Sequence, residues 1–338
     1  MIYGRELPGY PYNLKAKLTR CIVYGQRVLF GKLLRRFSDH APLPLDYTGQ
    51  AANDAVRGLL ESGKPCLIAR FGSGEMEATL RGLDVQSPGG FLRKVARMCV
   101  GKSGPFWWDN SIRAGIVWNA GYFPETNDAL NLFANRVVED ARELDILASW
   151  LAGEKRLMRK YFPKVRAIFL DDLLPFWFEH PWTGALKGKK VLVVHPFSDT
   201  ILAQYEKRHL LFADPELLPD FELKTYRTVS SFVGNNVPYR TWFDALQKMC
   251  RDISEFDFDI ALVGCGSYGM SIGAYIKREL MRKAVHLGGV AQLIFGIKGK
   301  RWDNIHKFGK ELYNGYWTRP LDSDKIERTN TIEGGCYW

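Results

Sequence analysis

Between Phe258 and Gly289 the chain passes through an apolar run, a glycine-rich turn, a helix-like segment and a second apolar run ending in paired glycines. The segments read Phe258-Asp-Ile-Ala-Leu-Val-Gly-Cys-Gly-Ser-Tyr-Gly269 and Lys283-Ala-Val-His-Leu-Gly-Gly289. This order is the pattern of a βαβ unit. It brings the carboxyl ends of two neighbouring strands to one edge, where α/β sheets commonly hold phosphate groups. The feature therefore points to an α/β fold and a nucleotide-type ligand.

The rest of the chain agrees with that class. Apolar runs Cys66–Gly72, Ile146–Trp150, Arg166–Leu170, Lys190–His195 and Glu222–Arg227 read as strands. Helical periodicity covers a segment from Thr48, its expected N-cap, to near Gly63, and then Phe91–Val100, Asn110–Asn119, Glu125–Leu144, Thr200–Phe212 and Tyr239–Ile253. A short helix is expected near Val290–Phe295. Alternation of this kind predicts a Rossmann-like fold, with a mainly parallel sheet and helices on both faces. With 338 residues, 46% of them hydrophobic, the chain can bury a large core. We expect an N-terminal arm over 1–46, an α/β domain over 47–310 and a polar tail over 311–338.

The arm has its own character. From Asn13 to Phe37, Leu14, Leu18, Ile22, Leu29, Leu33 and Phe37 recur near helical spacing. Lys15, Lys17, Arg20, Arg27, Lys32, Arg35 and Arg36 occupy other positions, with no acidic residue between them. Such a helix can lie on an anionic membrane, or pack on the main domain or a second subunit. The formal net charge of +10 also suits anionic partners. No arginine-rich tail, zinc-finger spacing or RNA-binding motif occurs, so nucleic acid is not an expected partner. The six cysteines form no C-x-x-C pair, which fits a reducing compartment without structural zinc. The N-terminus lacks a signal-peptide layout and no apolar run is long enough to span a bilayer. A cytoplasmic protein is expected, peripheral on the membrane if the arm binds there.

Gly264, Gly266 and Gly269 match the G-x-G-x-x-G spacing of dinucleotide folds. Such folds also place an acidic residue at the end of the next strand, to hold the ribose hydroxyls. Here that strand reads Ala284-Val-His286-Leu-Gly288, so NAD is not expected. The glycines and Ser267 still permit close approach by a phosphate or a sugar, and they also suit tight helix packing.

Other strand ends carry polar residues. Arg70-Phe-Gly72-Ser73-Gly-Glu75-Met-Glu77 follows the first strand. A carboxylate there can hold a cation bridging a diphosphate, or favour the helix N-terminus, and Arg70 can neutralise phosphate charge. His195-Pro-Phe-Ser198-Asp199 occupies an equivalent place, as a ligand-facing group or a helix cap. Asn235 and Asn236 suit hydroxyl-rich ligands, or a turn. Lys298, Lys300, Arg301 and Trp302 read as a phosphate clamp with an aromatic platform, or as a solvated basic loop. Asp257-Phe-Asp259 has D-x-D spacing but precedes its strand, so a solvated strand entry is expected. No H-E-x-x-H, G-x-S-x-G or Walker motif occurs.

Taken in order, these motifs resemble the GT-D-fold glycosyltransferases of bacterial surface-glycan pathways. Arg70-Phe-Gly-Ser-Gly-Glu75 is similar to their R-[FY]-G-D-G-E signature, and the Val263-Gly-Cys-Gly and His286-Leu-Gly-Gly strand ends fit their layout. The resemblance spans roughly Ala51 to Asp303. It implies a hexosyltransferase-type enzyme in surface polysaccharide synthesis. Such an enzyme moves a sugar from a nucleotide-sugar donor to a glycan or lipid-linked glycan acceptor. By resemblance Glu75 binds a divalent cation, Mn²⁺ or Mg²⁺, with the donor diphosphate. Ser73 stands where the family has aspartate. Either Glu75 acts with help from Glu77 or Asp199, or the basic clamp replaces the metal, or the donor differs.

The site expected from this reading has Glu75 and Asp199 as catalytic carboxylates. Arg70, Gly72, Ser73, Gly264, Gly266, Ser267, Lys298, Lys300 and Arg301 would hold the donor phosphates. His195, Ser198, Asn235, Asn236 and Trp302 would hold acceptor or sugar. Two other readings stay open: a Rossmann-type enzyme using NAD or S-adenosylmethionine, and a non-catalytic glycan-binding assembly protein.

Overall fold

A computed structural model describes residues 43–232, 237–325 and 335–338. The basic helix expected over 13–37 and the paired residues Asn235 and Asn236 lie outside them. Seven strands form one sheet: β1 (Cys66–Ala69), β2 (Ile146–Ser149), β3 (Arg166–Phe169), β4 (Lys190–Val194), β5 (Glu222–Tyr226), β6 (Ile260–Val263) and β7 (Lys283–His286). Their order is β3-β2-β1-β7-β6-β4-β5, and every pairing is parallel. The fold is α/β and Rossmann-like.

Alternation along each strand separates two cores. Leu67, Leu192, Val194, Ala261 and Val263 face one side, with α2 (Ser73–Val85), α5 (Asn127–Asp140), α9 (Trp242–Ser254) and α10 (Gly269–Arg278) packed over them. Cys66, Ile68, Val191, Val193, Ile260 and Leu262 face the other, covered by α1 (Gln50–Glu61), the helical turns between Leu170 and Leu186, and α7 (Ser198–Tyr205). The remaining helices are α3 (Phe91–Cys99), α4 (Asn110–Ala114), α6 (Glu154–Tyr161), α8 (Arg208–Leu211), α11 (Ala291–Ile294), α12 (Lys300–Asp303) and α13 (His306–Gly309). The strands buried on both faces carry almost no polar side chain, as a two-sided parallel sheet requires.

Several details differ from the sequence reading. The first helix starts at Gln50, and Gly49 occupies the N-cap position instead of Thr48. The segment expected as one helix over 110–119 is α4 followed by a π-helical stretch, Gly115–Asn119. The segment expected over 200–212 is split into α7 and α8. Helix α6 is an addition to that reading, opened by Gly153 at φ 99°.

The residues after 310 join the α/β unit. Ile297 and Thr318 form a parallel bridge, and the Trp317 indole donates to the Leu211 carbonyl at 3.1 Å. Buried Asp324 accepts from the Thr200 amide at 2.7 Å and so caps α7 from 124 residues away. No helix among the described residues is long and apolar enough to cross a membrane.

Candidate functional site

From β1 the chain steps outward to β2 and β3; from β4 it steps outward to β5 on the opposite side. Strands β6 and β7 fill the centre between them. Over this divergence the loops separate and leave a crevice at the carboxyl edge. A cavity of about 510 Å³ opens there. Its lining comes from the ends of β1 (Arg70, Gly72–Glu75, Glu77), β2 (Trp150), β4 (His195–Phe197), β6 (Gly264, Gly266) and β7 (His286, Gly288, Gly289). Gly115, Asn119 and Phe232 add a wall, and Arg301, Tyr337 and Trp338 add another. The volume falls in the range of small-ligand sites.

Arg70 and Glu75 form the charged centre. Gly72 is the N-cap of α2 and Glu75 sits in its first turn. The Glu75 carboxylate folds back over Gly72 so closely that a Cβ there would meet its Oε2 at 1.8 Å. Gly72 is therefore required for this pose. Burial raises the Glu75 pKa, while Arg70 and a hydrogen bond from the residue's own amide oppose that rise. Burial lowers the Arg70 pKa, against the opposing field of Glu75. The Arg70 guanidinium lies 5.1 Å from the Trp150 ring centroid, a cation–π contact. The Trp150 indole is held by the Phe71 carbonyl at 2.9 Å. Gly288, at φ 65°, leaves Arg70 its room: a Cβ there would lie 3.2 Å from Nη1.

Arg301 faces the same space from the C-terminal side. Its guanidinium lies 4.9 Å from the Tyr337 ring centroid. The Tyr337 ring presses so close to Gly289 that a Cβ would lie 2.2 Å from Cε1. Backbone bonds from Arg301 to Cys336 at 2.9 Å and from Lys300 to Trp338 at 3.2 Å pin this segment.

Two buried histidines complete the floor. His195 is 2% and His286 4% exposed. Burial pushes each down to about 3, and Arg70 adds to the effect at His286, so both rings are neutral at physiological pH. The glycine motif makes room for them. A Cβ on Gly264 would lie 2.7 Å from His195 Cδ2, and one on Gly269 would lie 2.0 Å from His286 Cε1. Gly266, at φ 57°, fits under the Phe232 ring.

Of the residues expected to gather, Arg70, Gly72, Ser73, Glu75, His195, Gly264, Gly266 and Arg301 do so. Others stand elsewhere. Asp199 is outside the cleft, in an exposed ion pair with Arg227 at 2.7 Å. Ser198 is buried and its hydroxyl turns to the His195 carbonyl at 3.3 Å. Ser267 is buried and accepts from the Trp242 indole at 2.9 Å, a packing role. The Lys298 ammonium sits 5.4 Å from the Tyr313 ring centroid, and Lys300 is exposed, so the clamp reduces to Arg301. Trp302 is buried against Gly299 and supports Tyr337 at 6.1 Å between ring centroids. Asp257 pairs with Lys190 at the opposite edge of the sheet, and Asp259 accepts from the Lys190 amide at 2.8 Å. Trp150 was findable, since it ends a strand on the same edge as Arg70. Tyr337 and Trp338 had no signal, because they arrive through a polar segment without periodicity.

Among the described residues, no three His, Cys, Asp or Glu side chains converge as a metal cage. Glu75 and Glu77 are the carboxylates of the cleft lining that could contribute to holding a cation. Comparison with protein-family models, curated proteins and solved structures found no match.

Proposed function

We propose that the protein is a glycosyltransferase that moves a sugar from a nucleotide-sugar donor to a glycan or lipid-linked glycan acceptor. One observation carries this reading: Arg70 and Glu75, of the Arg70-Phe-Gly-Ser-Gly-Glu75 stretch, line one cleft with Gly264, Gly266 and Arg301. Three stretches far apart in sequence, at Arg70 to Glu75, at Gly264 and Gly266, and at Arg301, supply this lining.

In this reading Arg70 and Arg301 bind the donor diphosphate and stabilise the charge that grows on it as the glycosidic bond breaks. A divalent cation on Glu75 would neutralise further charge on the same phosphates. Trp150 fixes the plane of Arg70, and the aromatic walls exclude water from the leaving group. Glu77, exposed on the cleft wall, is the carboxylate within reach of an incoming acceptor hydroxyl, and it replaces Asp199 as the base of an inverting reaction.

A binding screen tests the proposal. UDP, GDP and dTDP sugars, NAD and S-adenosylmethionine are added to the intact protein with and without Mn²⁺, and melting temperature is recorded. A ligand at a hundred times its Kd adds about 2.7 kcal/mol of stability, which a melting curve resolves. Stabilisation by at least one nucleotide sugar, stronger with Mn²⁺, is expected. Stabilisation by NAD or S-adenosylmethionine alone would overturn the reading.

Asp199→Asn separates the two carboxylate assignments. Its ion pair is exposed, and such pairs contribute about 0–1 kcal/mol. Turnover within about twofold of wild type is expected. A hundredfold loss of sugar transfer, measured with the donor that stabilises the protein in that screen, would return Asp199 to the mechanism.

A further inference from the structure

Helix α3 departs from the rule that a surface helix turns its apolar side inward. Of its nine residues only Met98 is buried. At its N-terminal tip Leu92 is 82% and Phe91 43% exposed. By helical spacing Leu92 and Ala96 form one exposed row, and Arg93 and Arg97 form the row beside it. The Phe91 ring leans on Phe106 at 5.8 Å between centroids, and Phe106 on Trp107 at 5.3 Å, so half-buried aromatics extend the apolar tip. The charge of the segment has one sign. From Gln86 to Trp108 the chain carries Arg93, Lys94, Arg97 and Lys102 and no acidic residue. Lys94 donates to the Val85 carbonyl at 2.7 Å and fastens α3 to the end of α2. Among the described residues Arg93, Arg97 and Lys102 have no ion-pair partner. The acids on either side of the segment are engaged elsewhere: buried Asp84 pairs with Arg156, and Asp109 with Arg81 at 2.8 Å.

We propose that α3 and the loop after it, residues 86–108, form a docking surface for an anionic lipid bilayer. Leu92 and Phe91 enter the boundary between headgroups and acyl chains, and Arg93, Arg97 and Lys102 meet the lipid phosphates. Charge selects this occupant over the others. A second copy of the same face, or the basic stretch over 13–37, would set cations against cations. A nucleic acid would satisfy the cations and leave Leu92 in water. A bilayer covers both kinds of side chain. The surface is distinct from the cleft, which takes Ser73 to Glu77 at the start of α2, whereas α3 follows the end of that helix at Val85. The inference is therefore independent of the reaction assigned to the cleft.

The test compares the full chain with two double variants, Phe91→Ser with Leu92→Ser and Arg93→Gln with Arg97→Gln. Flotation measures binding to vesicles of phosphatidylcholine alone and of phosphatidylcholine with phosphatidylglycerol in equal parts. Wild type is expected to float with the anionic vesicles, and each variant to bind them at least about tenfold more weakly. The stretch over 13–37 is present in all three samples, so the difference reads α3. Equal binding by wild type and both variants, or wild type that binds no anionic vesicle, would overturn the proposal. Single-stranded DNA is a further arm: binding lost in the arginine variant and kept in the Phe91 and Leu92 variant, without vesicle binding, would assign the face to nucleic acid instead. Should a variant fail to fold, amide hydrogen exchange of the wild type decides. Anionic vesicles are expected to slow exchange over 86–108; slowing confined to 13–37 would overturn the assignment.

Discussion

Glu75→Gln is expected to lower sugar transfer at least about a hundredfold while the protein stays folded. Glutamine matches glutamate in size, so Gly72 still accommodates the side chain where it folds back over the α2 N-terminus. The change removes only the charge. On the proposed reading, the cleft then loses the anchor for a cation on the donor phosphates, and Arg70 loses the field of its neighbouring carboxylate. The stability effect runs the other way. Burial raises the folded-state pKa of Glu75, so its stability contribution is full at low pH and declines as pH rises through that raised value. A neutral residue escapes this decline, and Arg70 keeps the field of Glu154 nearby. Stability within about 1 kcal/mol of wild type at neutral pH is therefore expected. Initial rates and melting curves on the same samples separate the two effects. Turnover close to wild type in a folded Glu75→Gln sample would take Glu75 out of the mechanism.

Arg70→Lys is expected to weaken nucleoside diphosphate binding about tenfold to a hundredfold. Charge is retained, so the loss isolates geometry. The guanidinium is a planar fork that stacks on Trp150 and can grip two phosphate oxygens at once; an ammonium does neither as well. The pocket is also shaped for the larger group, since Gly288 at φ 65° gives way to Nη1. A lysine leaves that space empty and is costlier to keep charged where burial already lowers the Arg70 pKa. Binding of UDP and GDP by calorimetry provides the check. Wild-type affinity in the variant would mean that Arg70 supports Trp150 and touches no phosphate.

The two predictions draw on different levels of the chain. Arg70 and Glu75 were legible as a pair because a strand end, a glycine-flanked turn and a helix start put them on one edge. The same logic placed Gly264 and His195 there. It misjudged Asp199, Ser198 and Ser267, which follow strands equally well. A strand end fixes where a side chain begins, and its neighbours decide where it points. Arg227 draws Asp199 outward, and the Trp242 indole holds Ser267 in the core. The basic run after Phe295 shows the same limit. Lys298 turns to the Tyr313 ring and Trp302 is buried, so Arg301 alone lines the cleft.

The chain alone determined the architecture, because period-two burial, helical spacing and glycine punctuation are local and repeat along the sequence. It also determined which edge of the sheet gathers polar residues. The tertiary structure decided the composition of the site. Strand order brought β7 between β1 and β6, which set His286 beside Arg70. The last residues, from Gly335 to Trp338, returned to wall the cleft with Tyr337 and Trp338. Both outcomes depend on contacts between segments far apart in the chain, and such contacts leave no periodicity in the amino-acid sequence.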